Sequence, residues 1–299
     1  MINRIGYACI NSSIKENFKD CRLKSVYTRG ISSLKDITLN NLMVTEKTLR
    51  WNIKNNIFMY RATSKMIPFA THSDIIKDFS FRWYEDIDIL NSLKKIREIV
   101  LNNNIRLSMH PDQFTVLNSP DENIVEKAVI NLKYHRDLLV LMGGTDLIIH
   151  TGGVYGDKAD ASARFINSYL NLEEDVRKYV RLENDDISYD LKDVLRISDN
   201  CGIPVVLDIH HHNCKNDGNY DIKNLIPHIN ESWQTAGIIP KCHISTGLTK
   251  YNDKRHHNMV SAADFFAFCD LTDGIDVDLM VEAKMKEQAV LYLTSLLKI

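Results

Sequence analysis

With 299 residues, 44% of them hydrophobic and 25% charged, the chain can bury a sizeable core, either as one α/β barrel or as two medium domains. Its 37 Lys and Arg stand against 39 Asp and Glu, which excludes a generally basic nucleic-acid coat but allows a local basic groove. Six scattered cysteines without a C-x-x-C pair, a start unlike a signal peptide and no apolar run of about 18 residues predict reduced thiols in a cytoplasmic protein without a membrane span.

In chain order, short apolar runs alternate with longer stretches of helical spacing. The runs cover 4–9, 56–62, 106–111, 146–153, 179–185, 204–212, 241–245 and 278–284. Rich in Val, Ile, Leu and Tyr, they suit strands buried on both faces. Between them, 91–104 places Leu93, Ile96, Val100 and Leu101 on one face and turns Lys94, Lys95, Arg97 and Glu98 mostly away. The stretch 121–142 opens after Ser119-Pro120 with Asp121-Glu122 and stops at Gly143-Gly144, while Gly202 closes a helix ahead of Pro204. No repeat, low-complexity tract or Pro/Gly/Ser linker marks a boundary, so 1–299 reads as a single domain.

Eight strand candidates alternating with helices predict parallel βαβ units. A doubly wound open sheet shares that alternation. The runs, however, end in His, Glu, Asp, Arg or Lys, and a barrel gathers such strand ends around one pocket where an open sheet spreads them along an edge. The glycine fingerprint of a dinucleotide fold is absent. The expected fold is α/β, a TIM-type (β/α)8 barrel.

At or just after the run ends stand His72, His110, His150, Glu183, Asp208, His211, His243 and Glu282, with His256 in the loop after the seventh run. A single histidine at a strand end is commonly a hydrogen-bonded surface residue, and Glu183 alone could be a salt-bridged strand carboxylate. Six imidazoles and three carboxylates at the same end of successive strands are different. Such carboxylates are costly to bury without cations, and the donor set suits Mn²⁺, Zn²⁺ or Fe²⁺. There are too many ligands for one octahedral ion and enough for roughly two or three, a grouping suited to phosphodiester hydrolysis. No cysteine sits clearly within the set, and two of His210, His211 and His212 are expected to stay off the metal. Lys241, two residues before His243 on a strand, should point to the same side.

The ordered segments resemble those of the UV damage endonucleases across nearly the full chain. They are Gly6-Tyr7-Ala8-Cys9, Ile67-Pro68-Phe69-Ala70-Thr71-His72, Leu107-Ser108-Met109-His110-Pro111-Asp112-Gln113 and His150-Thr151-Gly152-Gly153-Val154-Tyr155-Gly156-Asp157-Lys158. Leu182-Glu183-Asn184-Asp185, Asp208-Ile209-His210-His211, Lys241-Cys242-His243 and Val281-Glu282-Ala283-Lys284 complete the order. The resemblance implies a barrel nuclease, related in architecture to endonuclease IV, that nicks double-stranded DNA immediately 5′ to UV photolesions with a cluster of Mn²⁺-type ions. It implies metal-ligand roles for His72, His110, His150, Glu183, Asp208, His211, His243, His256 and Glu282, catalytic roles for Glu183, Lys241 and His243, and a carboxylated Lys241. His257 adjoins His256, and Asn258-Met259 depart from the family pattern there. The family's lesion-probing Gln-Tyr pair is Gln113-Phe114 here, which keeps the stacking face and loses a hydroxyl. Tyr7, Arg61, Lys158, Lys284 and Lys286 are the remaining candidates for lesion or phosphate contact. The resemblance further implies a monomer.

A sugar isomerase-like barrel would need fewer ligands and no Gln113-Phe114 wedge. An abasic-site endonuclease would differ in lesion rather than mechanism. A non-catalytic lesion binder would have no use for Glu183, Asp208 and Glu282.

Overall fold

Each of the eight apolar runs forms a strand. The computed structural model describes residues 1–216 and 220–297, with β1 (Ile2–Ala8), β2 (Met59–Ala62), β3 (Arg106–Met109), β4 (Asp146–His150), β5 (Val180–Glu183), β6 (Val205–Asp208), β7 (Lys241–Ile244) and β8 (Val277–Val281). All neighbours pair in parallel, and β8 returns to β1 to close the barrel. The chain is thus a (β/α)8 barrel, not an open sheet. Among the described residues, no helix is long and apolar enough to cross a membrane.

The helices start and stop where side chains satisfy their loose backbone groups. Asp121 accepts from Asn123 N to open the helix Glu122–Leu141. Asp190 and Asp193 form a reciprocal capping box on Leu191–Cys201, which ends at Gly202 with φ +73°. The stretch expected at 91–104 is the helix Ile87–Asn102, because Asp86 accepts from Asp88 N and Ile89 N and starts it before the apolar spacing is visible.

Inside the barrel, the two-residue period of a strand sorts side chains into tiers. The inward positions are Asp146, Ile148 and His150 along β4, and Asp278, Met280 and Glu282 along β8 and the residue after it. Ionic groups lie at the bottom, apolar groups in the middle and candidate ligands at the top. The middle tier includes Ala8, Met59 and Met280 on one side and Ile148 and Val206, packed with Trp233, on the other. In the bottom tier Asp146 is 2.9 Å from Arg106, 3.2 Å from Arg181 and 3.0 Å from Lys241, while Asp278 takes Arg106 and Arg4. The guanidiniums of Arg106 and Arg181 lie 5.2 and 5.3 Å from the Trp233 ring.

Gly6 leaves no room for a side chain between β1 and β2: a Cβ there would stand 2.1 Å from the Met59 carbonyl oxygen. Backbone on both sides leaves nothing flexible to yield. Gly6→Ala is expected to destabilise the protein by about 1–3 kcal/mol or more, read as a lower thermal melting temperature.

Candidate active site

Glu183 stands at the C-terminal end of β5, almost completely buried. Its Oε2 is 3.3 Å from His110 Nε2 and 3.6 Å from His150 Nε2. Its Oε1 is 2.8 Å from His243 Nδ1 and 3.6 Å from His211 Nδ1. One carboxylate from β5 thus lies among histidines presented by β3, β4, β6 and β7. Ligand atoms of His110, His150 and Glu183 fall within 4.8 Å of one another, and so do those of Glu183, Asp208, His243 and Glu282. Both groups share Glu183, so two adjacent ions could have a carboxylate in common.

The surrounding hydrogen bonds fit this reading. His110 Nδ1 lies 2.8 Å from Pro111 O, His211 Nδ1 2.9 Å from Asn184 O and His256 Nδ1 2.6 Å from Glu282 O. A ring whose Nδ1–H is given to a carbonyl presents a lone pair at Nε2, the usual support for a metal-binding imidazole. Asp208 accepts from His211 N through Oδ1, but its buried Oδ2 has no hydrogen-bond partner, and neither does buried His243 Nε2. Orphaned acceptors of this kind are costly. A cation coordinated by Asp208 Oδ2, in the group with Glu183, His243 and Glu282, removes the cost at Asp208, so the residues present fit divalent ions.

The electrostatics agree. Burial alone would raise the Glu183 carboxyl, yet the charges of His243 and His150 and the close polar contacts of His110 and His243 hold it well below the usual carboxylate range. Burial would likewise raise Glu282, but Arg61 and His243 reverse this and lower it. For His211, burial opposes the charged form, and the carboxylates of Asp208 and Glu183 outweigh it, pushing the imidazole up to about 9. Negative charge here is strong enough to hold a proton on the His211 imidazole, while burial pushes His150 the other way. Metal ions would compete for the same sites.

A cavity of about 230 Å³ opens over these groups, lined by Cys9, Arg61, Ser64, His110, His150, Glu183, His211 and Glu282 among others. It adjoins a cleft of about 410 Å³ that shares His110, His150 and His211 and is also lined by Gln113 and Ile187. Phe114 projects from the same loop with 76% of its surface exposed. Asp112 pins that loop by accepting from Phe114 N at 2.9 Å.

Several sequence expectations meet a different placement. Tyr7 is fully buried, its hydroxyl donating to Asn52 and accepting from Asn11, each at 2.7 Å. A side chain so enclosed offers no face to a base, so lesion contact by Tyr7 does not stand. Arg61 pairs with Glu282, and Lys158 sits 2.7 Å from Asp193 and over the Tyr189 ring, so neither is a free cation waiting for phosphate. Lys284 is exposed and Lys286 half-buried. His72 precedes the helix Ser73–Phe79, its ring edge-on to Phe69, and is in neither ligand group. His256 lies near the cluster through Glu282 O, whereas His257 Nδ1 turns to the backbone of Met259. His210 and His212 are buried in the short helix Ile209–Cys214 rather than solvated in a loop. Lys241 points inward like His243, but into the bottom ionic tier beside Asp146, and burial pushes its ammonium down to about 7 against the opposing pull of Asp146. Cys9, set aside at the sequence level, lines the cavity with φ +66°.

Known proteins share both this sequence pattern and this barrel. Residues 3–299 match the profile described as UV-endonuclease UvdE. A UV-damage endonuclease of Schizosaccharomyces pombe is 34% identical over 96% of this chain, which spans about half (49%) of that relative's length. A UV DNA damage endonuclease of Bacillus pumilus is also 34% identical, over 88% of this chain and 82% of its own. The crystal structure of SacUVDE superposes with a TM-score of 0.88 at 30% identity, covering 99% of this chain and 98% of that one. Endonuclease IV of Thermus thermophilus (TM-score 0.57, 13% identity, 85% and 94% covered) and an Escherichia coli 3-keto-D-glucoside 4-epimerase (0.60, 12%, 99% and 98%) share the barrel, a likeness of fold alone. The chain belongs to the UV-endonuclease family.

Proposed function

We propose that the protein is a metal-dependent DNA repair endonuclease that hydrolyses the phosphodiester immediately 5′ to UV photolesions in double-stranded DNA. Cyclobutane pyrimidine dimers and 6-4 photoproducts are its substrates, with abasic sites a further one. The observation that carries this reading is Glu183, shared by two ligand groups on the floor of an open cavity. Two or three Mn²⁺-type ions held there supply Lewis acidity and an activated water at neutral pH.

The chain's own residues do the rest. His110, His150, Glu183, Asp208, His211, His243 and Glu282 fix the ions, and His72 and His256 complete the set. Arg61, held beside Glu282, keeps that carboxylate oriented and lends a cation at the cavity wall. Gln113 and Phe114 enter the base stack at the lesion. An exposed ring on a loop pinned by Asp112 is preorganised for that task. Phe114→Ala is expected to slow incision at a dimer about 10–100-fold, the worth of one base–aromatic stack, with no change in melting temperature. Phe114→Tyr should retain activity.

Carboxylation of Lys241 fits the charge of the bottom tier. Among the described residues, Arg4, Arg106, Arg181 and Lys241 pair only with Asp146 and Asp278. Addition of CO₂ to the neutral amine, with loss of a proton, would turn four cations against two anions into three against three. Peptide mass spectrometry that preserves the adduct and finds only unmodified Lys241 would refute it. A monomer acting on DNA in the cytoplasm, at the nucleoid, completes the reading.

Incision mapped on four duplexes identical except at one site (dimer, 6-4 photoproduct, abasic site or no damage) tests the proposal. Cutting 5′ to each lesion and sparing of the intact duplex is expected. Turnover of a sugar by protein that leaves all four duplexes intact would favour the isomerase-like alternative instead.

A further inference from the structure

Residues 15–29, in the connection that follows β1, concentrate positive charge that the fold leaves unpaired. They hold Lys15, Lys19, Arg22, Lys24 and Arg29 against Glu16 and Asp20, in a chain whose acidic residues outnumber its basic ones. All five cations are exposed, and none forms an ion pair among the described residues. Both acids, by contrast, are neutralised from outside the segment: Glu16 by Lys47 and Asp20 by Lys65, the latter at 2.7 Å. The segment therefore presents its cations to solvent with its own anions already taken.

It is also a built surface rather than a loose tail. Asn41, fully buried in the helix Ser32–Lys54, accepts from Lys19 N at 2.8 Å and donates to Lys19 O at 2.9 Å. Val26, fully buried, anchors the helix Leu23–Arg29, and Tyr27 reaches Asp78. A groove of about 820 Å³ runs along it, with Lys19, Arg22 and Arg29 on its walls beside Ser25, Ser33 and the carboxylate of Asp36. Because β1 ends on the face where the ligands gather, this connection leaves the barrel from the catalytic side.

We infer that this surface grips the sugar–phosphate backbone of duplex DNA away from the lesion, independently of metal and of damage. The inference rests on the nuclease reading above. At the cavity, Arg61 and the imidazoles are already engaged by Glu282 and Glu183, which leaves little free positive charge there for phosphate until cations load. A separate cationic surface supplies the lesion-independent part of binding, carried by phosphate contacts and counterion release.

The test is fluorescence anisotropy with a labelled undamaged duplex, in chelator, across a series of salt concentrations. Wild-type protein is compared with Arg22→Glu/Lys24→Glu/Arg29→Glu and with a control of equal charge change on exposed helix positions, Lys94→Glu/Lys95→Glu/Lys127→Glu. Circular dichroism confirms that each variant folds. The segment variant should bind at least about 10-fold more weakly, with a salt slope shallower by about 0.9 for every phosphate that no longer meets a cation. The control should stay within about 2-fold. Equal effects of the two triple variants, or no metal-free binding by the wild type, would overturn the inference. Metal-free binding that depends on the segment, without any cut at a lesion once Mn²⁺ is added, would uphold the surface and sink the nuclease reading alone.

Discussion

Glu183→Gln is expected to lower incision of a dimer-containing duplex by about 10³-fold or more. The substitution keeps size and shape and removes the one carboxylate common to both ligand groups. Glutamine has a single acceptor oxygen and an NH2 group whose nitrogen cannot ligate a cation at neutral pH. Two neighbouring ions cannot share it, and His110, His150, His211 and His243 lose the anion placed among them. Metal analysis after gel filtration separates this account from a mere loss of shape. The wild type should carry at least two Mn²⁺ per chain, and the variant at least one fewer. Unaltered stoichiometry with lost activity would assign Glu183 to proton transfer instead.

The second large effect concerns stability. Asp146→Asn is expected to destabilise the protein by about 3–5 kcal/mol, the cost of breaking a buried ion cluster from one side, and to lower Tm by roughly 5–8 °C. Asp146 is fully buried and faces Arg106, Arg181 and Lys241. An asparagine leaves those cations with Asp278 alone. Removing a cation as well should restore part of the loss, so Asp146→Asn/Lys241→Met is expected to melt above Asp146→Asn. The pH dependence has a definite sign. Burial would raise the Asp146 carboxyl, but Arg106, Lys241 and Arg181 outweigh it and hold it well below the ordinary range. A carboxyl lowered by folding contributes stability that is complete above its unfolded value, about 3.9, and disappears as pH falls through the folded one. Acid melting curves of wild type and Asp146→Asn should therefore draw together progressively as pH falls below the unfolded value, about 3.9, and meet only beneath the depressed folded one. Parallel curves down to the acid limit would show that the ion cluster is not the source.

What the sequence disclosed, and what it hid, follow from how local each signal is. The strands were legible because each is a compact apolar run, and the ligands because they stand at run ends, where a closed barrel must bring them together. The bottom ionic tier was missed although its signal was present. Lys241 and Arg181 lie two residues before His243 and Glu183, and Asp146 and Asp278 four residues before His150 and Glu282, so each shares a face with a ligand. Reading the runs only at their ends concealed it. Tyr7 was misplaced for the same geometric reason: beside Gly6, which faces Met59, it must turn outward into the helical layer. Partners set by long-range contact had no local signal. Arg61 with Glu282, and Cys9 at the cavity wall, come together only when β8 closes on β1 and β2.

The central claim is that ions held around Glu183 cut DNA beside a photolesion. Protein stripped of metal is titrated with Mn²⁺ on an end-labelled duplex carrying one cyclobutane dimer, and the cut is located on a denaturing gel. A single cut directly 5′ to the dimer, rising with Mn²⁺ occupancy, abolished by chelator and absent in Glu183→Gln, is the predicted result. Intact DNA at full Mn²⁺ occupancy, or cutting that Glu183→Gln leaves unchanged, would contradict it.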